Sequence, residues 1–237
     1  MKAMILAAGL GTRLKPWTDH HPKALVPVNG KPLLQRTIEY LQKFDITDVI
    51  VNVHHFADQI ISAIEKNDGW GSNIAISDES EAVLETGGGL INARWYFDDE
   101  DFLLMNADIL TDLDIYAMAA YHQRHQPLAT LAVTNRNSSR YLLFDEKNNL
   151  CGWRNDKTGE EKRSNSNPVF TKKAFSGVQV LNPAIFRHIT QRGKFSLIDV
   201  YLHLAEKHPI PCYDHSGGRF IDVGRPEAIE QAAEMFK

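Results

Sequence analysis

Short apolar runs alternate along the first half of the chain with segments whose apolar residues recur every three or four positions. The runs, which we predict to be buried strands, are AMILA (3–7), DVIVNV (48–53), NIAIS (73–77), FLLMN (102–106) and LATLAV (128–133). Helices are predicted between them, after Pro32, around Ile60–Ile64, from the glycines at 87–89 towards Phe97, and around Ile115–His122. Because the runs are apolar throughout, both faces of the sheet should be covered. The pattern predicts an α/β fold: a Rossmann-like, mostly parallel mixed sheet with helices on both faces.

The second half of the chain is patterned differently. Residues 135–173 are polar and predict a hairpin insertion with a mobile tip. Further elements are predicted in chain order: a strand at 177–181, a helix after Pro183, a helix near 196–207, a strand at 219–223 and a last helix from Pro226. We find no repeat, linker or low-complexity tract, so we expect a single domain over residues 1–237.

Composition narrows the class of protein. Of 237 residues, 43% are hydrophobic and 24% charged, which is typical of a globular chain. A net charge of −4 argues against a nucleic-acid partner. The two cysteines, Cys151 and Cys212, have no CxxC spacing and predict reduced thiols. No signal sequence or membrane-spanning run is present, so we expect a cytoplasmic protein without membrane contact.

A glycine-rich segment follows the first predicted strand. It reads Leu6-Ala-Ala-Gly-Leu-Gly-Thr-Arg13, with Lys23 ten residues further on. Glycine amides in such a turn can hold phosphate oxygens, and the two cations add positive charge. Leu14 stands where the dinucleotide fingerprint needs a glycine, and no Gly-Lys pair is followed by Ser or Thr as a Walker loop requires. An ordinary strand-to-helix turn is the alternative.

Two aspartates stand near the carboxyl ends of predicted strands. Asp108 follows FLLMN, and Asp222 lies in FIDVG. Ligands bind at this edge of open α/β sheets, and Mg²⁺ prefers a few carboxylates together with substrate phosphates. Each aspartate could instead form a turn or cap a helix. The ten histidines show no zinc-binding pattern.

A second glycine-rich segment reads Leu84-Glu-Thr-Gly-Gly-Gly-Leu90. Thr86 can cap a helix, and the glycines behind it can expose amides that hydrogen-bond the edge of a flat base. A flexible turn is the alternative.

Taken together, these motifs resemble the signature of the sugar-1-phosphate nucleotidyltransferases: a first strand, GxGTR, a proline, PK, an aspartate after the fourth strand and a second aspartate in a late IDVG-like motif. The resemblance implies the nucleotide-diphospho-sugar transferase fold, with a nucleotide-binding half near 1–134 and a sugar-binding half near 135–237. It implies catalytic roles for Arg13 and Lys23, and Mg²⁺ on Asp108 and Asp222. The nucleotide-binding residues it implies are Leu6, Ala8, Gly9, Gly11, Thr12, Arg13, Lys23, Glu85, Gly88 and Asn106.

The same resemblance implies the partners, a nucleoside triphosphate and a sugar 1-phosphate, and sugar contacts at Gly177 and Asp199. The LETGGG form is most similar to that of the N-acetylmuramate-1-phosphate uridylyltransferases of peptidoglycan recycling, which implies UTP and N-acetylmuramate 1-phosphate. Arg154, Arg163, Lys172 and Lys173 could meet the lactyl carboxylate of that sugar, or could be solvated hairpin charges.

Alternatives stay open at this point. They are a guanylyl- or cytidylyltransferase acting on mannose, glucose or heptose 1-phosphate, a non-catalytic nucleotide-sugar binding subunit, and a dinucleotide-dependent oxidoreductase. A homo-oligomer and the number of Mg²⁺ ions are also left open.

Overall fold

The chain folds around one large mixed sheet. The structure, a computed structural model, describes residues 1–165 and 169–237. The α-helices within those residues are α1 (Leu33–Gln42), α2 (Ala57–Lys66), α3 (Glu85–Asn92), α4 (Ile115–His125), α5 (Leu197–Leu204) and α6 (Pro226–Met235). The strands are β1 (Ala3–Leu6), β2 (Pro27–Val28), β3 (Lys31–Pro32), β4 (Asp48–Val53), β5 (Asn73–Asp78), β6 (Phe102–Asn106), β7 (Ile109–Thr111), β8 (Ala129–Thr134), β9 (Arg140–Phe144), β10 (Leu150–Asn155), β11 (Glu161–Arg163), β12 (Thr171–Leu181), β13 (Cys212–Asp214) and β14 (Phe220–Asp222).

The main sheet has the strand order β11-β10-β9-β12-β6-β1-β4-β5, and β8 pairs with both β12 and β13. Strands β6, β1, β4 and β5 run parallel. The long strand β12 runs antiparallel to β6, β8 and β9, so it connects the parallel part of the sheet to the hairpin of β9 and β10. The predicted α/β fold with a mixed, mostly parallel sheet is confirmed.

Apolar side chains cover the sheet on both faces. Along β1, Ala3 and Ile5 enter one core cluster and Met4 enters the other, as the alternation of side chains in a strand requires. Helices α1, α2 and α4 pack on the first face, and α3 and α5 pack on the second. Helix α6 packs on a third, smaller cluster that includes Leu110 of β7 and Ile221 of β14.

The second half of the chain departs from the prediction in several places. Strand β12 begins at Thr171 rather than at 177, because its first residues pair with β9. Those residues are polar, so the apolar pattern did not reveal them. The short strands β7 and β13, of three residues each, were not predicted. The helix predicted after Pro183 is a 3₁₀ turn over Pro183–Arg187. Part of the predicted mobile tip, residues 166–168, lies outside the described residues.

None of the helices in the described part of the chain is long and apolar enough to cross a membrane. Cys151 and Cys212 are both buried free thiols.

Candidate active site

Three parallel strands end side by side at one edge of the sheet. The register of the sheet pairs Leu6, the last residue of β1, with Asn52 of β4 and Asn106 of β6. Two amide side chains therefore occupy one row at the carboxyl edge, where open α/β sheets bind ligands.

The loop after β1 curls tightly around Lys23. Gly11 takes a left-handed conformation with φ 63, which a residue with a side chain rarely adopts. A Cβ at this position would lie 2.9 Å from both Lys23 Cβ and Thr18 Cγ2. The Thr18 hydroxyl donates to the Gly11 carbonyl over 3.0 Å and fixes the turn. The glycine therefore lets the loop and Lys23 come into contact.

Backbone pairing brings the two aspartates together. Strands β7 and β14 form a short antiparallel ladder in which Asp222 is the partner of Ile109, the residue after Asp108. The Val223 amide also donates to the Asp108 carbonyl over 2.9 Å. Two carboxylates from distant parts of the sequence thus lie at one place.

Lys23 joins both carboxylates. Its Nζ donates to Asp108 Oδ2 and lies 3.9 Å from Asp222 Oδ1, and its side chain is only 12% exposed. Burial and the charge of Asp108 raise the pKa of Asp222 above its usual range, while Lys23, Arg13 and Arg136 act in the opposite direction. Burial and the neighbouring carboxylate together therefore outweigh the three cations and disfavour ionisation of Asp222.

The same pair fits a divalent cation. Asp108 Oδ1 is buried and has no hydrogen-bond partner within residues 1–165 and 169–237. In that part of the chain no group of three or more His, Cys, Asp or Glu residues could hold a metal. Mg²⁺ is commonly bound by one or two carboxylates and completed by substrate phosphates and water, so two aspartates suffice.

Arg13 approaches Asp222 as well. Its Nη2 and Asp222 Oδ1 both lie 2.7 Å from the point that a Cβ on Gly224 would occupy. The guanidinium charge helps to lower the pKa of Asp222. Two cations and two carboxylates are therefore gathered in one small region.

A cavity of about 260 Å³ opens beside this region. Its walls include six of the predicted nucleotide-binding residues: Leu6, Ala8, Gly9, Lys23, Glu85 and Asn106. Gly11, Thr12 and Arg13 lie in the adjoining loop, outside the cavity walls. Gly88 is also outside them and is buried, with its backbone packed against the Gly193 carbonyl so closely that a Cβ would collide with it.

Sequence reasoning missed two polar residues of this cavity. Asn52 Oδ1 accepts the Ala7 amide over 2.7 Å, and its Nδ2 donates to Glu79 Oε1 over 2.7 Å. Burial raises the pKa of Glu79. The signal for Asn52 was present in the sequence, as the one polar side chain inside the apolar run VIVNV.

The LETGGG segment is helical, which corrects the prediction of exposed amides behind a Thr86 cap. Helix α3 begins at Glu85, and the three glycines are buried inside it. The Thr86 hydroxyl accepts the Leu197 amide over 2.9 Å, and the Gly87 amide donates to the Phe195 carbonyl. Thr86 thus ties α3 to α5 instead of capping its own helix.

A second cavity, of about 370 Å³, lies on the side of the hairpin. Asp199 lines it and forms an ion pair with Lys162 at 2.8 Å. The four hairpin cations considered for the lactyl carboxylate each pair with a carboxylate of this chain: Arg154, Arg163, Lys172 and Lys173. Those pairs favour the solvated-charge interpretation.

Gly177 lies beside Asn106 rather than in the walls of the second cavity. It has φ 68, and a Cβ there would lie 2.7 Å from Asn106 Nδ2. The glycine therefore leaves room for the Asn106 amide at the end of β6.

We expect Gly177→Ala to destabilise the fold by about 2–4 kcal/mol, because it adds a steric conflict to an unfavourable backbone conformation. Gly30→Ala is the matched control, since Gly30 has φ 76 and nothing within 4 Å of the point that a Cβ would occupy. Urea unfolding of both variants measures the difference. Equal losses of stability would contradict a specific conflict with Asn106.

Comparison with known proteins adds three findings. The family model described as nucleotidyl transferase matches residues 2–236. An N-acetylmuramate alpha-1-phosphate uridylyltransferase from Neisseria meningitidis is 42% identical over 117 residues, 49% of this chain and 51% of that protein. A mannose-1-phosphate guanyltransferase from Emericella nidulans is 30% identical over 233 residues, 96% of this chain and 62% of that protein.

Among solved structures, HddC from Yersinia pseudotuberculosis complexed with GMP-PN has a TM-score of 0.80 and 27% identity, covering 100% of this chain and 99% of that one. The matched part thus amounts to 51% to 62% of the length of the two curated relatives named above.

Proposed function

The chain belongs to the nucleotidyl transferase family, and from that premise we propose that it condenses a nucleoside triphosphate with a sugar 1-phosphate, releasing pyrophosphate and a nucleotide-sugar. The observation that carries the proposal is the position of Lys23, bound to Asp108 and 3.9 Å from Asp222 at the carboxyl edge of the sheet. We also propose a cytoplasmic location, because both cysteines are free thiols and the proposed reaction uses a nucleoside triphosphate.

The reaction is an in-line displacement at the α-phosphorus. A phosphate oxygen of the sugar 1-phosphate forms the new P–O bond, and the bond to the β-phosphate oxygen breaks. The nucleophile is already anionic, so no general base and no covalent enzyme intermediate is needed. Catalysis then consists of positioning two anions and stabilising charge at phosphorus.

Lys23 and Arg13 supply that charge. The Lys23 ammonium offsets the repulsion between the α-phosphate and the incoming phosphate, and the Arg13 guanidinium, with its fork of donors, holds the triphosphate and the departing pyrophosphate. The Gly9–Thr12 loop contributes backbone amides to the phosphates. Asn52, held by the Ala7 amide and Glu79, keeps the floor of the nucleotide cavity rigid.

Asp108 and Asp222 are the residues that would hold Mg²⁺, and a bound ion would add positive charge at the reacting phosphates. Without it, these two carboxylates repel both each other and the substrates. The role of the protein is to keep them rigid through the β7–β14 ladder.

For the substrates we propose UTP and N-acetylmuramate 1-phosphate. The support is the LETGGG form of α3 together with the 42% identity to a uridylyltransferase of that sugar. A guanylyltransferase acting on mannose 1-phosphate is the second candidate, favoured by a relative that matches 96% of this chain.

The test is a matrix of four nucleoside triphosphates against N-acetylmuramate, N-acetylglucosamine, mannose and glucose 1-phosphates, with pyrophosphate release as the readout. We expect the highest kcat/KM with UTP and N-acetylmuramate 1-phosphate. Preference for GTP and mannose 1-phosphate would select the second candidate, and no release with any pair would reject the activity.

We expect Mg²⁺ to raise the melting temperature of the wild type and to be required for turnover. A ligand at a concentration of about 100 times its Kd stabilises the folded protein by about 2.7 kcal/mol. Asp108→Asn should abolish the shift, whereas Asp58→Asn, an exposed aspartate of α2, should retain it. Full activity in excess EDTA, or an unchanged shift in Asp108→Asn, would contradict a metal site at this pair.

A further inference from the structure

The loop between β8 and β9 carries an arginine, Arg136, to which neither the sequence motifs nor the mechanism assigns a role. Its half-buried side chain lines the second cavity together with Trp153 and Asp199. The guanidinium carbon lies 4.8 Å from the ring centroid of Phe220 in β14. An aromatic face therefore holds a cation at the wall of the hairpin-side cavity.

This cation also lies near the carboxylate pair. Phe220 and Asp222 are two residues apart in β14, so their side chains point to the same side of the strand. The negative charge of Asp222 opposes the lowering of the Arg136 pKa that burial causes, and Arg136 in turn helps to lower the pKa of Asp222. Arg136 thus lines the second cavity and lies over a residue of the strand that carries Asp222.

The guanidinium is only partly satisfied by the protein. Its Nη2 donates to the Phe175 carbonyl over 2.9 Å, at the point where the register of β12 against β8 shifts. Its Nε is buried and, in the part of the chain that the structure describes, has no hydrogen-bond partner. A guanidinium has five N–H donors, so an anion beside it would add bonds that the protein leaves unmade.

We infer that Arg136 binds the phosphate group of the sugar 1-phosphate and is a further substrate-binding residue of the reaction; this rests on the proposed function. The planar fork of arginine matches a phosphate, and its charge compensates the repulsion that a phosphate meets beside Asp222. The incoming phosphate would then be held from the hairpin side by Arg136, in addition to Lys23.

One other anion of the proposed sugar could meet the same guanidinium, namely the lactyl carboxylate of N-acetylmuramate. The two sources are distinguished by N-acetylglucosamine 1-phosphate, which has the phosphate and lacks the carboxylate. Arg136 lies over the ring of Phe220, two residues from Asp222 in β14, and this position favours the phosphate. Loss of activity should therefore be similar with both sugars.

The experiment compares wild type, Arg136→Gln, Arg136→Lys and the control Arg94→Gln. Arg94 also stacks on a phenylalanine, at 5.4 Å from the Phe186 ring, but lines a different cavity. We expect Arg136→Gln to lower kcat/KM for either sugar 1-phosphate about 100-fold, with the KM for UTP changed less than about threefold. Arg136→Lys should recover part of the loss, and Arg94→Gln should match wild type.

Calorimetric titration with N-acetylglucosamine 1-phosphate gives a readout that does not depend on turnover. Unchanged kinetics in Arg136→Gln would overturn the inference, as would a loss confined to N-acetylmuramate 1-phosphate. If Arg136→Gln lowers the UTP affinity and the melting temperature together, Arg136 has a structural role, and this result would also overturn the inference. If wild type shows no turnover at all, the proposed function fails, and equal binding by wild type and Arg136→Gln in the titration then overturns the inference as well.

Discussion

Replacing Lys23 by alanine is expected to lower kcat by about 10²–10³, the usual effect of removing one preorganised charge-stabilising donor. Lys23 is the cation that contacts both carboxylates of the pair. Under the proposed mechanism its loss removes the charge that offsets repulsion between the two substrate phosphates, so the effect should fall on kcat more than on the KM for the triphosphate. Steady-state pyrophosphate release at saturating substrates measures it.

The same substitution should also destabilise the metal-free protein, and more so at high pH. Lys23 lowers the pKa of Asp222, so without it that pKa rises further. A raised pKa in the folded state gives stability that is present at low pH and lost as pH rises through the folded value. Melting curves in EDTA across pH test this, with Lys31→Ala, an exposed lysine paired with Glu39, as the control.

For the turnover prediction, near-normal kcat in Lys23→Ala would contradict the charge-stabilising role proposed for Lys23.

Asp222→Asn should separate activity from stability. We expect kcat to fall by about 10²–10³, because the amide keeps the shape of the side chain but not its charge. In EDTA at neutral pH the variant should be more stable than wild type. Burial and the charge of Asp108 make an ionised Asp222 unfavourable in the folded state, and an asparagine at this position carries no charge.

The sign of the pH dependence follows from the same shift. Because the pKa of Asp222 is raised on folding, wild type loses stability relative to the amide variant as pH rises from the ordinary aspartate range through the folded pKa. The difference in melting temperature should therefore shrink towards acidic pH. A variant that is less stable than wild type at every pH, or fully active with Mg²⁺, would contradict this account.

Apolar runs were sufficient to predict the parallel strands, because β1, β4 and β6 are buried on both faces and carry hardly any polar residues. The same criterion could not predict the start of β12, whose first residues are polar and pair with β9. It also missed β7 and β13, which are too short to produce a periodic signal. Their existence depends on pairing with partners far away in the chain.

The candidate site was predicted unevenly for a similar reason. Arg13, Lys23, Asp108 and Asp222 stand in motifs that resemble a known signature, and the structure brings them to one place. Arg136 stands in no such motif, and its position depends on Phe220 and on a carbonyl freed by the register shift in β12. Thr86 has the composition of a helix cap, yet the nearness of α5 decides its partner.

The pairing of β7 with β14 also bears on how the candidate site forms. The loop that we propose to hold the phosphates is local in sequence, whereas Asp222 is brought to Asp108 by a ladder between remote segments. Such non-local pairings close slowly, since a long stretch of chain must be ordered first. The carboxylate pair is therefore complete only after these remote segments have paired, whereas the glycine-rich loop does not depend on that pairing.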